Sequence, residues 1–256
     1  MSKGGGNMLA EDRRAQILEF VNQHQSAKVN ELSERFNVST STVRRDLEKL
    51  EEEGSISRTH GGAVAKGGVS FEPSYMEKEH EQETEKELIA QKAADLINHG
   101  DTIILDAGTT TTKLAEKLTE FEDLTIVTNA INIALELSDT AHEIIIPGGN
   151  LKKKTLALVG PVAEDYLKGL NADLAFIGAN GIDLGAGVTT PDLVESNVKK
   201  RMADKAKEVI VLADYSKFET ITLVEVLDLE QVDKIITDDR LNEELKNKYT
   251  PHVDIL

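Results

Sequence analysis

Apolar residues recur at helical spacing in three short segments near the start of the chain. The spacing predicts helices over residues 10–24 and 29–36, followed by a break at 37–39. Ser39 is a suitable N-cap for a third helix, which ends before Gly54. The inward-facing positions are Ile17, Leu18 and Val21, then Val29, Leu32 and Phe36, then Val43, Leu47 and Leu50.

A short alternating segment follows the third helix. Residues 55–58 alternate like a strand, and Gly61-Gly62 closes a hairpin or turn beside it. Three helices with a tight turn between the second and third, followed by a β-wing, predict a winged helix-turn-helix over residues 10–63. Residues 1–9 are polar and Gly-rich without the apolar core of a signal peptide, so we expect a disordered leader there.

The pattern of apolar and polar residues along the chain changes twice after the wing. Residues 64–83 lack periodicity and contain Gly67-Gly68, which predicts a linker, and a helix follows to Asn98. From there strands alternate with helical segments, which predicts an α/β domain over 84–256 with a mostly parallel sheet. The predicted strands cover 102–105, 124–127, 143–146, 173–177, 208–212 and 234–237.

The charge distribution separates these two domains. The 256 residues carry a net charge of -17, yet residues 1–66 contain ten Lys or Arg and ten Asp or Glu. Because an acidic body repels DNA, only the N-terminal part is suited to dock on it.

The composition also excludes several classes of site. The absence of cysteine excludes disulfides and cysteine-ligated metals, and the six histidines are scattered without zinc spacing, so we expect no metal or cofactor. No segment approaches the roughly 20 apolar residues of a membrane span, and we expect a cytoplasmic protein.

The start of the third helix has the side chains that a recognition helix needs. Short hydroxyls suit phosphate and base contacts, and arginine suits bidentate contact with guanine. An ordinary solvated helix face would explain the paired arginines alone, but the break, cap, hydroxyls and wing together favour DNA. The predicted DNA-binding residues are Ser39, Ser41, Thr42, Arg44, Arg45, Arg58 and His60.

A second motif follows the predicted strand 102–105. Gly108 and the four threonines after it offer backbone N–H groups and hydroxyls at a helix N-terminus, which suits a phosphate. The lysine of a Walker A loop is absent, so nucleotide hydrolysis is not expected. A plain strand-to-helix turn capped by threonine is the alternative.

Small and polar residues follow the other strands, at the edge where ligands bind in open α/β sheets. Lys217 is suited to neutralise a phosphate, and Asp106 or Asp214 to accept sugar hydroxyls; for Glu195 a structural role is equally plausible. The run 152–154 near Gly149 is interpreted as a solvated edge, with the alternative that one of its lysines reaches the ligand phosphate. The predicted effector-binding residues are Asp106, Gly108, Thr109, Thr110, Thr111, Asn129, Gly149, Asn180, Glu195, Asp214 and Lys217.

Several of these motifs occur together in one known family. From about residue 8 onward the chain resembles the DeoR family of bacterial sugar-metabolism regulators. The motifs that carry the resemblance are Arg44-Arg45-Asp46-Leu47, Arg58-Thr59-His60-Gly61-Gly62-Ala63, Leu105-Asp106-Ala107-Gly108-Thr109-Thr110-Thr111, Val127-Thr128-Asn129 and Leu212-Ala213-Asp214-Tyr215-Ser216-Lys217-Phe218.

The resemblance implies a repressor of a carbohydrate operon that a phosphorylated sugar or related metabolite releases from its operator. It also implies a homodimer or homotetramer and a sensor domain similar in fold to ribose-5-phosphate isomerase. Within the family the chain looks closest to Gram-positive fructose-operon regulators, for which fructose 1-phosphate would be the effector.

Two other functions remain as alternatives, a sugar-phosphate isomerase with an appended DNA-like domain and an oligomeric scaffold that binds no nucleic acid. The isomerase carries acidic residues in the segment that matches 178–181, whereas this chain has Asn180 and no acid there. Because an amide is not a general base at neutral pH, this departure favours a binding protein over an enzyme.

Overall fold

The chain forms two compact units in the computed structural model, and they divide after Phe71. The structure describes residues 10–24, 26–52, 55–59, 61–65 and 69–256. The expected leader at 1–9 and His60 of the expected wing lie outside the described residues.

The first unit is three helices and a small antiparallel sheet, as expected for a winged helix-turn-helix. Its elements are α1 (Ala10–His24), β1 (Ser26–Lys28), α2 (Val29–Phe36), α3 (Thr40–Glu52), β2 (Ile56–Thr59) and β3 (Gly62–Ala65). The sheet order is β1-β3-β2, and Ile17, Leu32 and Leu47 are fully or almost fully buried in its core. The three-residue strand β1 was not predicted. A Cβ at Gly62 would lie 2.0 Å from the carbonyl oxygen of Ala27, so glycine is needed where β1 and β3 approach.

The second unit is an α/β domain. Its helices are α4 (Tyr75–Glu79), α5 (Glu83–Ala94), α6 (Thr109–Lys117), α7 (Ile131–Glu136), α8 (Pro161–Leu167), α9 (Leu193–Ala203) and α10 (Glu243–Tyr249). Its strands are β4 (Thr102–Leu105), β5 (Thr125–Thr128), β6 (Glu143–Ile145), β7 (Asn150–Lys152), β8 (Ala157–Val159), β9 (Ala172–Gly178), β10 (Gly181–Asp183), β11 (Gly187–Thr190), β12 (Ala206–Leu212), β13 (Val224–Leu227), β14 (Lys234–Ile236) and β15 (Asp254–Ile255).

A seven-stranded parallel sheet organises this unit, in the order β15-β14-β12-β9-β4-β5-β6. Two apolar clusters pack against it and share its strands. The mostly parallel α/β fold that alternation predicted is therefore confirmed. The loops after β4, β5, β9 and β12 all leave the carboxyl edge of the sheet, which brings together residues far apart in sequence.

Smaller elements surround this sheet and were not predicted. They are the hairpin β7–β8, the antiparallel sheet β10-β11-β13 and the edge strand β15. The helix expected to reach Asn98 ends at Ala94.

The interval expected to be a linker, 64–83, contains regular structure. β3 includes residues 64 and 65, and α4 lies inside the interval. Ser74 caps α4 by accepting a hydrogen bond from the backbone N–H of Glu77, whose carboxylate accepts from the backbone N–H of Ser74 in return. Glu72 and Tyr75 are 6% and 7% exposed, so residues from 72 onward pack as part of the second unit. A five-residue helix is too short to show a periodic pattern.

Candidate functional site

Hydroxyl groups cluster at the start of α3. The Ser39 hydroxyl accepts a hydrogen bond from the backbone N–H of Thr42 at 3.1 Å, as an N-cap does. It also lies 2.7 Å from the Ser41 hydroxyl and 2.8 Å from the Thr42 hydroxyl. Ser39 and Ser41 are exposed, so the first turn of α3 presents hydroxyls to its surroundings.

The two arginines on α3 are exposed to solvent, whereas the aspartate that follows them is buried. Arg44 and Arg45 are exposed, and neither forms an ion pair with any residue that the structure describes. Asp46 is buried and accepts hydrogen bonds from Arg13 of α1, from Nε at 2.6 Å and from Nη2 at 3.1 Å. Asp46 therefore fixes α3 against α1, and the arginines on the other face stay available to a ligand.

Arg58, expected to contact DNA from the wing, is tied to α3. Its guanidinium lies 3.5 Å from the Glu51 carboxylate and 4.0 Å from that of Glu48. Its backbone N–H also donates to Glu51 at 3.0 Å. These contacts join the wing to the end of α3, and a DNA contact by Arg58 remains a prediction.

A buried ion pair lies at the carboxyl edge of the large sheet. The Asp106 carboxylate, directly after β4, accepts hydrogen bonds from the backbone N–H of Gly178 at 3.0 Å and from Lys199 of α9. Lys199 also donates to the carbonyl oxygen of Gly178 at 3.0 Å. Burial raises the pKa of Asp106, while Lys199 acts in the opposite direction.

Lys199 was not predicted as a site residue. It lies four residues after Glu195 on α9, and both side chains are buried. Two charged residues at a spacing of four within an otherwise apolar helix face are the sequence signal that would have located it.

The threonine motif forms the first turn of α6. The hydroxyls of Thr111 and Thr112 donate to the carbonyl oxygen of Gly108 at 2.9 and 2.7 Å. The hydroxyls of Thr109 and Thr110 have no hydrogen-bond partner among the described residues. Hydrogen bonds to the Gly108 carbonyl thus account for two of the four hydroxyls, and the free N–H groups of the first turn are available to an anion.

Two asparagines near α6 carry buried, unpaired acceptors. Asn129, after β5, donates to the carbonyl oxygen of Leu158 at 3.2 Å, and Asn132 donates to the Thr112 hydroxyl at 2.9 Å. The Oδ1 atoms of both asparagines are buried and have no partner among the described residues. A donor such as a ligand hydroxyl would satisfy them.

The loop after β12 places Lys217 beside an aspartate. Asp214 accepts hydrogen bonds from the backbone N–H of Ser216 at 2.9 Å and from its hydroxyl at 2.5 Å. The Lys217 ammonium lies 3.4 Å from the Asp214 carboxylate. Asp214 thus shapes the loop that presents Lys217. Nearby, burial lowers the pKa of Lys86 on α5 to about 8, against the charge of Asp214.

Lys152 lies among three carboxylates, which overturns the expectation of a solvated run at 152–154. Its ammonium lies 2.7 Å from Glu72, 2.9 Å from Asp192 and 3.5 Å from Glu195. The hairpin β7–β8 folds this lysine against α9, whereas the next two lysines of the run are exposed.

Glu195 accepts a hydrogen bond from the Thr155 hydroxyl and forms an ion pair with Lys152. Its pKa is lowered because Lys199, Thr155 and Lys152 outweigh the opposing effect of burial. The pKa of Glu72 is raised, with burial as the largest cause and the charge of Glu195 the next.

Gly149 and Asn180 have local structural roles. A Cβ at Gly149 would lie 2.7 Å from the carbonyl oxygen of Val159, and its φ of +115° also favours glycine. The Asn180 side chain accepts a hydrogen bond from the Thr190 hydroxyl at 3.2 Å, and its backbone N–H donates to Thr189. Effector contacts by either residue remain predictions.

Two structural features are absent from the part of the chain that the structure describes. No group of three His, Asp or Glu residues there is arranged to hold a metal ion. No helix in that part has the length and apolar character needed to cross a membrane.

Comparison with known proteins gives the family. Residues 81–239 match the DeoR C terminal sensor domain, and residues 13–67 match the DeoR-like helix-turn-helix domain. The chain belongs to the DeoR family of transcriptional regulators.

Relatives of known name support this assignment over almost the whole chain. The HTH-type transcriptional regulator GlpR of Haloferax volcanii is 38% identical over 92% of this DeoR-family chain and 92% of its own. A putative aga operon transcriptional repressor of Escherichia coli O157:H7 is 36% identical over 89% of this chain and 86% of its own. These names are those of regulators and agree with a protein that is not an enzyme.

A solved structure similar to part of the chain is ribose 5-phosphate isomerase A of Methanocaldococcus jannaschii. It is 18% identical with a TM-score of 0.40, and the match covers 53% of this chain and 54% of that one.

Proposed function

We propose that this DeoR-family regulator is a repressor of a carbohydrate-metabolism operon and that a phosphorylated sugar releases it from its operator. The observation that carries the proposal is the arrangement at the carboxyl edge of the large sheet. This edge contains the N-terminus of α6, where the hydroxyls of Thr109 and Thr110 have no described hydrogen-bond partner. It also contains three lysines, Lys86, Lys199 and Lys217.

The phosphate end of the ligand would bind at α6. Free N–H groups at a helix N-terminus attract anions, and charge-assisted hydrogen bonds to a phosphate are about twice as strong as neutral ones. Lys217 is 26% exposed and pairs with a single carboxylate, so its ammonium is accessible for a ligand. The hydroxyls of Thr109 and Thr110 would supply further hydrogen-bond donors to the phosphate.

The hydroxylated end of the ligand would bind the unpaired amide oxygens. The Oδ1 atoms of Asn129 and Asn132 are buried acceptors without a donor, and an unmet buried acceptor costs about 1–3 kcal/mol. Hydroxyl groups of a sugar would supply the donors. A ligand that joins a phosphate to several hydroxyls therefore fits both parts of the site.

The first unit would bind the operator through α3, with Arg44 and Arg45 as the principal cations. A single winged helix buries little surface on DNA, so we propose that a dimer or tetramer reads two half-sites in the cytoplasm. Sedimentation analysis at micromolar concentration tests this part. A monomer with full operator affinity would contradict it.

A thermal-shift screen with phosphorylated sugars tests the effector assignment. A ligand at 100 times its Kd stabilises the native state by about 2.7 kcal/mol, which raises the unfolding temperature of a unit this size by about 5–10 °C. Lys217→Ala should weaken the binding of the active compound about tenfold or more, and Lys153→Ala, at an exposed lysine, serves as the matched control. Normal binding by Lys217→Ala in calorimetry would refute the assignment.

A further inference from the structure

α4 is packed into the sensor unit at the edge where the effector site lies. The backbone N–H of Tyr75 donates to the carbonyl oxygen of Lys154 at 2.7 Å, and the Tyr75 side chain lies close to Thr112 on α6. Lys86 of α5 donates to the carbonyl oxygens of Lys78 and Glu79 at the other end of α4. The helix is therefore fixed beside the first turn of α6.

Lys78 lies on this helix, within the influence of charged residues of the second unit. Its side chain is half-buried, and the charges that act on it are those of Glu72, Glu195, Lys199 and Lys217. Burial lowers the pKa of Lys78, the two lysines act in the same direction, and the two glutamates oppose them.

The neighbouring lysines have acceptors, but the Lys78 ammonium has neither an ion pair nor a hydrogen-bond acceptor among the described residues. Lys199 pairs with Asp106, Lys152 with three carboxylates and Lys217 with Asp214. A partly desolvated cation without a partner lowers the stability of the folded protein. Such a group is retained where a ligand supplies the missing anion.

We propose that Lys78 binds the anionic group of the effector, so that α4 forms one wall of the effector site. The proposal rests on the proposed function, because it takes the ligand to be a phosphorylated molecule. It adds a binding residue from α4, which begins four residues after the end of the first unit at Phe71. An effector held by Lys78 therefore contacts the segment of chain that continues directly from the DNA-binding unit.

Calorimetry of the full-length protein with inorganic phosphate, at constant ionic strength, tests this role. Lys78→Met keeps an unbranched apolar stem and removes the ammonium group, and we expect it to raise the Kd for phosphate at least tenfold. Lys78→Arg should keep the Kd within about threefold of the wild-type value. Lys153→Met removes an exposed lysine of the same unit and should leave the Kd unchanged.

Stability separates ligand binding from a structural role. Since Lys78 has no described partner, Lys78→Met should unfold at the same temperature as the wild type or a higher one. A phosphate Kd within twofold of wild type for Lys78→Met would overturn the inference while leaving the phosphorylated effector intact. The inference would also be overturned if Lys78→Met unfolded at a lower temperature than the wild type and Lys78→Arg failed to retain phosphate binding. Absence of phosphate binding by the wild type would contradict both the inference and the proposed function.

Discussion

Removal of Lys199 should destabilise the second unit, because Lys199 forms a buried ion pair with Asp106 at the proposed effector site. The side chains of Lys199 and Asp106 are only 6% and 2% exposed. In Lys199→Met the Asp106 carboxylate keeps a single described donor, the backbone N–H of Gly178. Loss of one member of a buried pair costs about 3–5 kcal/mol because the remaining charge is uncompensated.

Urea unfolding, followed by circular dichroism, measures the change in the free energy of unfolding, which is taken from the transition of the second unit. Lys199→Met should lose about 3–5 kcal/mol at pH 7, whereas the double variant Asp106→Asn/Lys199→Met should lose about 1–2 kcal/mol because no buried charge remains. The single variant should also regain stability as the pH falls. Burial already raises the pKa of Asp106 in the folded state above the value in the unfolded chain, so the folded state takes up its proton first. A loss below about 1 kcal/mol in Lys199→Met, or a double variant less stable than it, would refute this reasoning.

Three further predictions concern the first unit and the proposed effector site. Arg45→Ala should weaken operator binding by about 1–3 kcal/mol if Arg45 contacts a base edge. Fluorescence anisotropy distinguishes this from a phosphate contact, whose loss would weaken binding to operator and scrambled duplexes equally. If neither Arg44→Ala nor Arg45→Ala changes operator affinity, the assignment of α3 as the recognition helix is wrong. Asp46→Ala should lower the unfolding temperature of the first unit because it removes the buried ion pair and hydrogen bonds that join Asp46 to Arg13, at a cost of about 3 kcal/mol, and an unchanged melting curve would contradict that role. Effector affinity should fall between pH 7 and 9 as Lys86 loses its proton near pH 8, and calorimetry should find a smaller fall in Lys86→Met.

The long elements of the fold are predictable from the sequence because each buries a whole apolar face. The spacing of Ile17, Leu18 and Val21 predicts α1 with the observed bounds, and the strand 102–105 matches β4. The three-residue strands β1, β7 and β8 carry no period, so only tertiary pairing defines them.

The proposed effector site likewise contains some residues that the sequence predicts and others that it does not. Residues that directly follow strands, such as Asp106 and Asn129, are predictable because the carboxyl ends of parallel strands meet at one edge. Lys199 and Lys78 reach that edge from helices, and 93 residues separate Lys199 from its partner Asp106. A lysine on a helix looks like any solvated lysine until the fold places it beside a buried carboxylate.

Release of the protein from its operator by a phosphorylated sugar tests the central claim most directly. The full-length protein is bound to a fluorescent operator duplex and titrated with phosphorylated sugars, each paired with its unphosphorylated form. We predict that at least one phosphorylated sugar lowers operator affinity by about 5–150-fold, the usual range of allosteric coupling, while its free sugar has no effect and Lys217→Ala stays bound. Operator affinity that no phosphorylated sugar changes, or equal release by the free sugar, would contradict the account.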